Sequence, residues 1–448
     1  MRADLRLAWL LTRGSDRREW WRVALTAVGA ALATGIGLAF VTIASIRGRY
    51  TVSAGSGLLD DSSDRQGVMI TLLLLLVPVL GFLGQCARVG AVHRDRRLAA
   101  LRLAGATPTQ VRRIAALETG LACLAGSALA TAVAVPLLLG LWQHPEPAAW
   151  VGMALTAVAV PVLGAAVSAL ALRRVVASPL GWVRRVRPTR GPGKVFGALT
   201  VLLVAIAAYV GLNTYRGNRL GVALGPLTVF AVSLLLGAAA IWLAGWSSRR
   251  LGTTLAARAQ RPALLIAAER LRDDPWAAAR THAAVLLVTV VGTAFVGIRA
   301  VMLHIVNGTT PLSERNAYYT TGLDLSGAAI LVALALTLSS LAVGTAESSA
   351  SRRRQLAAQA AAGVPRSVLG RALLLETALP LAPAVLLAGA GGTAIYVGWA
   401  ELIDDAVGPV PLLPVLVPVA VYAACLLAAA LSLPLLRRSV RPAELRYV

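Results

Sequence analysis

Glu118 and Glu376 each close a basic segment, and the two segments match residue for residue at a spacing of 258 positions. The first copy, RDRRLAALRLAGATPTQVRRIAALET, runs from Arg94 to Thr119. The second, RRRQLAAQAAAGVPRSVLGRALLLET, runs from Arg352 to Thr377. Arg94 and Arg352, Arg96 and Arg354, Leu98 and Leu356, Gly105 and Gly363, Arg113 and Arg371, and the two glutamates align without a gap. Two Ala- and Arg-rich stretches of unrelated origin would not keep both a glycine and a glutamate in register. The chemistry on offer is recognition: a duplicated, exposed basic surface built to touch a partner.

Other chemistry-bearing residues are poorly placed for reaction. Cys86, Cys123 and Cys425 lie in apolar stretches without CxxC or Cys/His spacing, so neither a disulfide framework nor a zinc site is expected. His93, His144, His282 and His304 are scattered among loops and ends of apolar runs, with no partner at ligand spacing. The only lysine, Lys194, sits in RGPGKVFG, where Pro188 and Val195 replace the Gly and the Ser/Thr that a phosphate-cradling loop needs. No catalytic residue, metal or cofactor is expected, and any ATP chemistry must belong to another polypeptide.

Each basic segment breaks at a Gly-centred turn, after which a short helix is expected near Thr107–Arg113 and Pro365–Arg371. Thr107 or Thr109 is suited to cap the first and Ser367 the second. These helices are expected to feed membrane spans at Glu118 and Glu376. The setting is membranous throughout: 448 residues, 57% hydrophobic, with a mean hydropathy of +0.73.

Ten apolar runs are long enough to cross about 30 Å of hydrocarbon. They lie near Val23–Ile46, Gly67–Val89, Ala115–Leu141, Trp150–Leu172, Val195–Tyr215, Gly221–Trp246, Ala283–Leu303, Ser326–Ala346, Leu373–Gly398 and Leu413–Leu436. With the N-terminus inside, 36 of the 43 basic residues fall in inner segments, which orients both termini toward the cytoplasm. The net charge of +23 is thus a topology signal, and nucleic acid is not an expected partner. Trp20, Trp21, Trp142, Trp150, Trp242 and Trp246 stand at expected headgroup levels.

The expected fold is an all-α integral membrane protein with two parallel-repeated four-helix units and a two-helix connector. An amphipathic segment (1–22) precedes the first unit (23–172). A basic linker (173–194), the connector (195–246), a second amphipathic segment (247–282), the second unit (283–436) and a cytoplasmic tail (437–448) follow. The segments beginning at Leu5 and Pro262 carry apolar residues at helical spacing with Arg and Trp, which fits helices lying in the inner interface. No expected span carries an acid at its centre, which argues against an ion-coupled carrier. Arg299 lies close enough to an outer end to snorkel. Pro136, Pro161 and Pro380 within spans are candidates for kinks.

The pattern of Arg, then Leu-Arg-x-x-Gly-Ala, then a basic helix and a Glu opening the next span resembles the FtsX-like permease superfamily. Its members are the membrane subunits of MacB-type and lipoprotein-exporting ABC transporters. The pattern is carried by Leu101, Arg102, Gly105, Ala106, Arg113 and Glu118, and more weakly by Gly363, Arg371 and Glu376. Arg97 and Gln355 stand where members commonly have an acid, and Ala360 replaces the equivalent of Arg102.

The resemblance implies a non-catalytic permease in the bacterial cytoplasmic membrane whose loops dock on a cytoplasmic ABC ATPase, a dimer in the simplest stoichiometry. The docking residues would be Arg102, Gly105, Ala106, Thr107, Pro108, Gln110, Arg112, Arg113 and Glu118 in the first copy. In the second they would be Gly363, Val364, Pro365, Arg366, Arg371 and Glu376. The implied cargo is an amphiphile or peptide, including antimicrobial ones. A subunit that regulates an envelope enzyme or sensor kinase, and a secondary transporter, are the alternatives. The outer loops, near 47–66 and 304–325, are too short for the extracytoplasmic domain many relatives carry.

Overall fold

A computed structural model describes residues 17–48, 59–60, 62–86, 103–141, 146–171, 194–215, 225–308, 313–401, 412–431 and 433–434. The N-terminal part of the first amphipathic segment, the residues Arg94 to Arg102, most of the linker and the expected C-terminal tail lie outside them, as do His93, Trp142 and His144. The described residues form α-helices and no strand.

The chain divides into two compact units, residues 1–187 and 188–448. The first holds α1 (Arg17–Ser45), α2 (Ser62–Cys86), α3 (Pro108–Leu141) and α4 (Pro147–Ala171). The second holds α5 (Lys194–Tyr215), α6 (Gly225–Arg258), α7 (Pro262–Asp273), α8 (Trp276–Gly308), α9 (Ser313–Ser351), α10 (Arg353–Ala361), α11 (Arg366–Glu401) and α12 (Leu413–Ala430).

Eight of these helices are long and apolar enough to cross a membrane, and they coincide with eight of the ten expected spans. The other two expected runs fall on α2 and α5. Their outward faces suit lipid. Val151, Leu155, Val158 and Val162 form a helically spaced stripe on α4, each more than half exposed, a surface that water would not tolerate but a bilayer rewards. On α6, Trp242 and Trp246 stack with ring centroids 6.4 Å apart, and Arg250 lies over the Trp246 ring at 5.5 Å. That pairing of amphipathic ring and cation is typical of a headgroup-level anchor.

The repeat in sequence is a repeat in packing. In the first unit α1 packs on α2, α3 and α4, and α3 on α4; in the second, α8 packs on α9, α11 and α12, and α11 on α12. The most extensive pairing in the first unit joins α1 to α3, and in the second α8 to α11. Small residues permit it. A Cβ on Gly126 of α3 would lie 2.0 Å from the Ala27 carbonyl oxygen of α1, and one on Gly392 of α11 would lie 2.5 Å from that of Val290 in α8. Polar contacts add to the packing in the first unit, where Thr119 donates to Ser168 at 3.1 Å and Ser127 to the Ala157 carbonyl at 2.8 Å. In the second unit α6 packs on both α8 and α11, and α5 packs on α6.

Helices run further than hydropathy suggests. α8 continues to Gly308 and α9 begins at Ser313, so most of the expected outer loop at 304–325 is helical. α6 likewise continues to Arg258 and α9 to Ser351, because backbone hydrogen bonding does not stop where apolar side chains do. Pro136, Pro161 and Pro380 all lie within continuous helices. Arg299 pairs with Asp324 of α9 at 3.0 Å, so its charge is met by an acid as well as by reach toward water.

Candidate functional site

Both copies of the basic segment build the same turn. Gly105 has φ +94° and Gly363 φ +88°, the left-handed region where a side chain is strained. A Cβ at either position would meet nothing within 4 Å, so backbone conformation alone demands glycine there. In the second copy the turn is a Schellman closure of α10. The Gly363 N–H donates to the Ala360 carbonyl at 3.0 Å, and the Val364 N–H to that of Gln359 at 3.1 Å. Val364 then packs against the buried pair Leu356 and Leu369, as do Leu373 and Ile266, tying α10, α11 and α7 together.

The helix after each turn starts in register, at Pro108 in α3 and Arg366 in α11. Thr107 caps the first. Its N–H donates to Gln110 Oε1 at 2.8 Å while the Gln110 N–H donates back to Thr107 Oγ1 at 3.2 Å, a reciprocal capping box. Thr109, the other candidate, instead shares a hydroxyl contact of 3.0 Å with Thr107. Pro365 occupies the equivalent cap position in the second copy and has no hydroxyl. Its carbonyl accepts from Val368 and Leu369, and Ser367 lies two residues too far along to cap.

The expected short coupling helices are not separate elements. α3 runs unbroken for 34 residues and α11 for 36, so the basic first turns and the spans are single rods of about 50 Å. Nothing in TPTQVRRIAALE or PRSVLGRALLLE breaks a helix after its opening proline, whereas the turn before it does.

Gly105, Thr107, Pro108, Gln110 and Arg113 are exposed, with Ala106 and Arg112 partly so; Gly363, Pro365, Arg366 and Arg371 are exposed and Val364 partly so. Leu103, 84% exposed, stands beside the first turn. Arg102 lies outside the described residues.

The glutamates sit behind these surfaces rather than on them. Glu118 is 3% exposed within α3. Glu376 is gripped from two sides: Arg352, between α9 and α10, donates to Oε1 at 2.8 Å, and Arg270 of α7 donates to Oε2 at 3.2 Å. All three side chains are 80% or more buried, so the triad joins the entry of the basic segment, the span that follows it and the amphipathic helix. α7 buries Ala263, Ala267, Ala268 and Leu271 along one face, as an amphipathic helix packed on α6 and α11 must. Arg352 was visible in the sequence through its register with Arg94. Arg270 had no such signal, because its partner lies 106 residues away.

Helices long and apolar enough to cross a membrane, in a four-helix pattern that occurs twice with a basic turn in each, define a multi-pass membrane protein. Residues 67–177, which cover most of α2, the first basic segment, α3 and α4, match the family model of the FtsX-like permease C-terminal domain. No curated protein matches the chain significantly. Among the described residues no group of three or more His, Cys, Asp or Glu could hold a metal ion.

Proposed function

We propose that the protein is the permease subunit of an ABC transporter in the bacterial cytoplasmic membrane, with both termini and both basic turns in the cytoplasm. Ten spans would form two parallel four-span units and a two-span connector. The exposed faces after Gly105 and Gly363 would each dock on one subunit of a separate ATPase dimer. Closure of the ATPases would then move α3 and α11 as rigid levers and shift the outer ends of the spans. An amphiphile or peptide, taken from the membrane or its outer surface, is the cargo class that apolar, lipid-facing helices suit best.

The observation that carries this reading is the paired left-handed glycine turn, at matching positions, each opening an exposed basic helix start that continues into a span. A loop serving only topology would need the charge but not the same turn twice. The test is co-purification with a candidate cytoplasmic ABC ATPase. Arg102→Glu, Arg113→Glu and Arg371→Glu are each expected to weaken the complex and to lower stimulated ATP hydrolysis. A complex and a hydrolysis rate unchanged in all three variants would rule out docking through these turns.

A further inference from the structure

Beside the Glu376 triad, residues of α7, α8, α9 and α11, with Ala429 of α12, line a partly open cleft of about 80 Å³ whose mostly apolar wall carries a few charged and polar groups. Two residues lining it hold polar atoms that no group among the described residues satisfies: Nε2 of His282, a residue 3% exposed, and Oδ1 of Asp274. His282 Nδ1 lies 2.7 Å from the Ala278 carbonyl oxygen. A carbonyl only accepts, so Nδ1 carries the proton and Nε2 is left as an acceptor. Asp274 accepts from Arg280 through Oδ2 at 2.7 Å, leaving Oδ1 open. Both unmet atoms therefore require donors.

The same cleft also offers donors. Arg270 and Arg352 line it, and each commits an Nη1 group to Glu376. A guanidinium has five N–H groups in a fork suited to phosphate, so each keeps others. Of the charged groups lining the cleft, Arg270 and Arg352 stand against Glu376 and Asp274 with no net charge left over. That balance fits a zwitterionic group with a phosphate and an ammonium better than a bare amine.

We propose that this cleft binds the headgroup of an ethanolamine phospholipid. The primary ammonium donates to His282 Nε2 and Asp274 Oδ1, and the phosphate lies against the spare N–H groups of Arg270 and Arg352. The assignment to a lipid rests on the reading above that puts the basic turns, and with them α7, at the cytoplasmic headgroup level. A choline headgroup carries the same charges without an N–H, so it cannot satisfy either acceptor.

The full chain, purified in detergent and offered phosphatidylethanolamine, phosphatidylcholine or phosphatidylglycerol, reports occupancy by native mass spectrometry. Ethanolamine lipid should be retained about tenfold over choline lipid, the difference expected from one or two charge-assisted hydrogen bonds. His282→Leu and Asp274→Asn should each bring it down toward the choline level. His282→Gln, which keeps an acceptor, should hold most of the preference and shows that loss in the leucine variant is not misfolding.

Equal retention of ethanolamine and choline lipids, or retention unchanged in both loss variants, would mean that water alone fills the cleft and would overturn the proposal. Soluble phosphoethanolamine binding as tightly as the lipid would overturn the lipid assignment. ATPase co-purification, read from the same preparations, reports on the docking turns separately, so either reading can fail without the other.

Discussion

At the scale of single residues, the same residue type does different work according to burial. Glu376 holds two largely buried arginines, so Glu376→Gln leaves both without a countercharge; a loss of about 2 kcal/mol in the stability of the second unit is expected. A double-mutant cycle between Glu376→Gln and Arg352→Met, read by thermal unfolding in detergent, should show strong coupling; additive losses would mean the pair is incidental. Arg65 offers a contrast within the first unit. It is 3% exposed and donates to the carbonyls of Leu59, Asp60 and Gly48, pinning the described ends of the loop between α1 and α2 to the first turn of α2. Arg65→Met should therefore cost about 2 kcal/mol in the same unfolding measurement, and a change within about 0.5 kcal/mol would show that water replaces those bonds without loss. The alignment of the two glutamates was legible in the sequence, but the burial that separates a contact residue from a structural one was not.

At the scale of elements, the turn and the helix after it behave as one device. Gly105→Ala and Gly363→Ala should each cost about 1 kcal/mol or somewhat more, purely from the backbone, and asparagine should cost less than alanine. The measurement is amide hydrogen exchange across 103–112 and 361–370; exchange unchanged by alanine would show that the left-handed turn is dispensable. Thr107→Ala should fray the first turn of α3 by about 1 kcal/mol of capping energy, seen as faster exchange at Gln110 and its neighbours. The equivalent Pro365 has no such hydroxyl to lose, so the two copies differ in how firmly their basic helix starts are held. Sequence reading located both turns because glycine and proline punctuate helices through local sterics. It cut the helices short, as at α3 and α11, because hydropathy reports the width of the bilayer and not where backbone hydrogen bonding stops.

At the scale of the whole molecule, each of the two units repeats the same internal pairing of helices and carries its basic turn at the equivalent point. Single cysteines substituted at Arg113 and Arg371, both exposed, should react with a membrane-impermeant thiol reagent only from the cytoplasmic side. One at Asp324, exposed on α9 at the far end of that helix from the second basic segment, should react only from outside. Labelling of all three from one side would break the proposed topology. By itself the sequence determined the membrane class, the duplication, the apolar runs and the glycines of the turns, because each depends on composition or on residues close together in the chain. Only the tertiary structure decided that α3 and α11 are unbroken rods, that Arg270 closes on Glu376, and that His282 and Asp274 face one cleft. The last two bring together residues from different elements, and helix packing sets them through close approach and burial that no local spacing records.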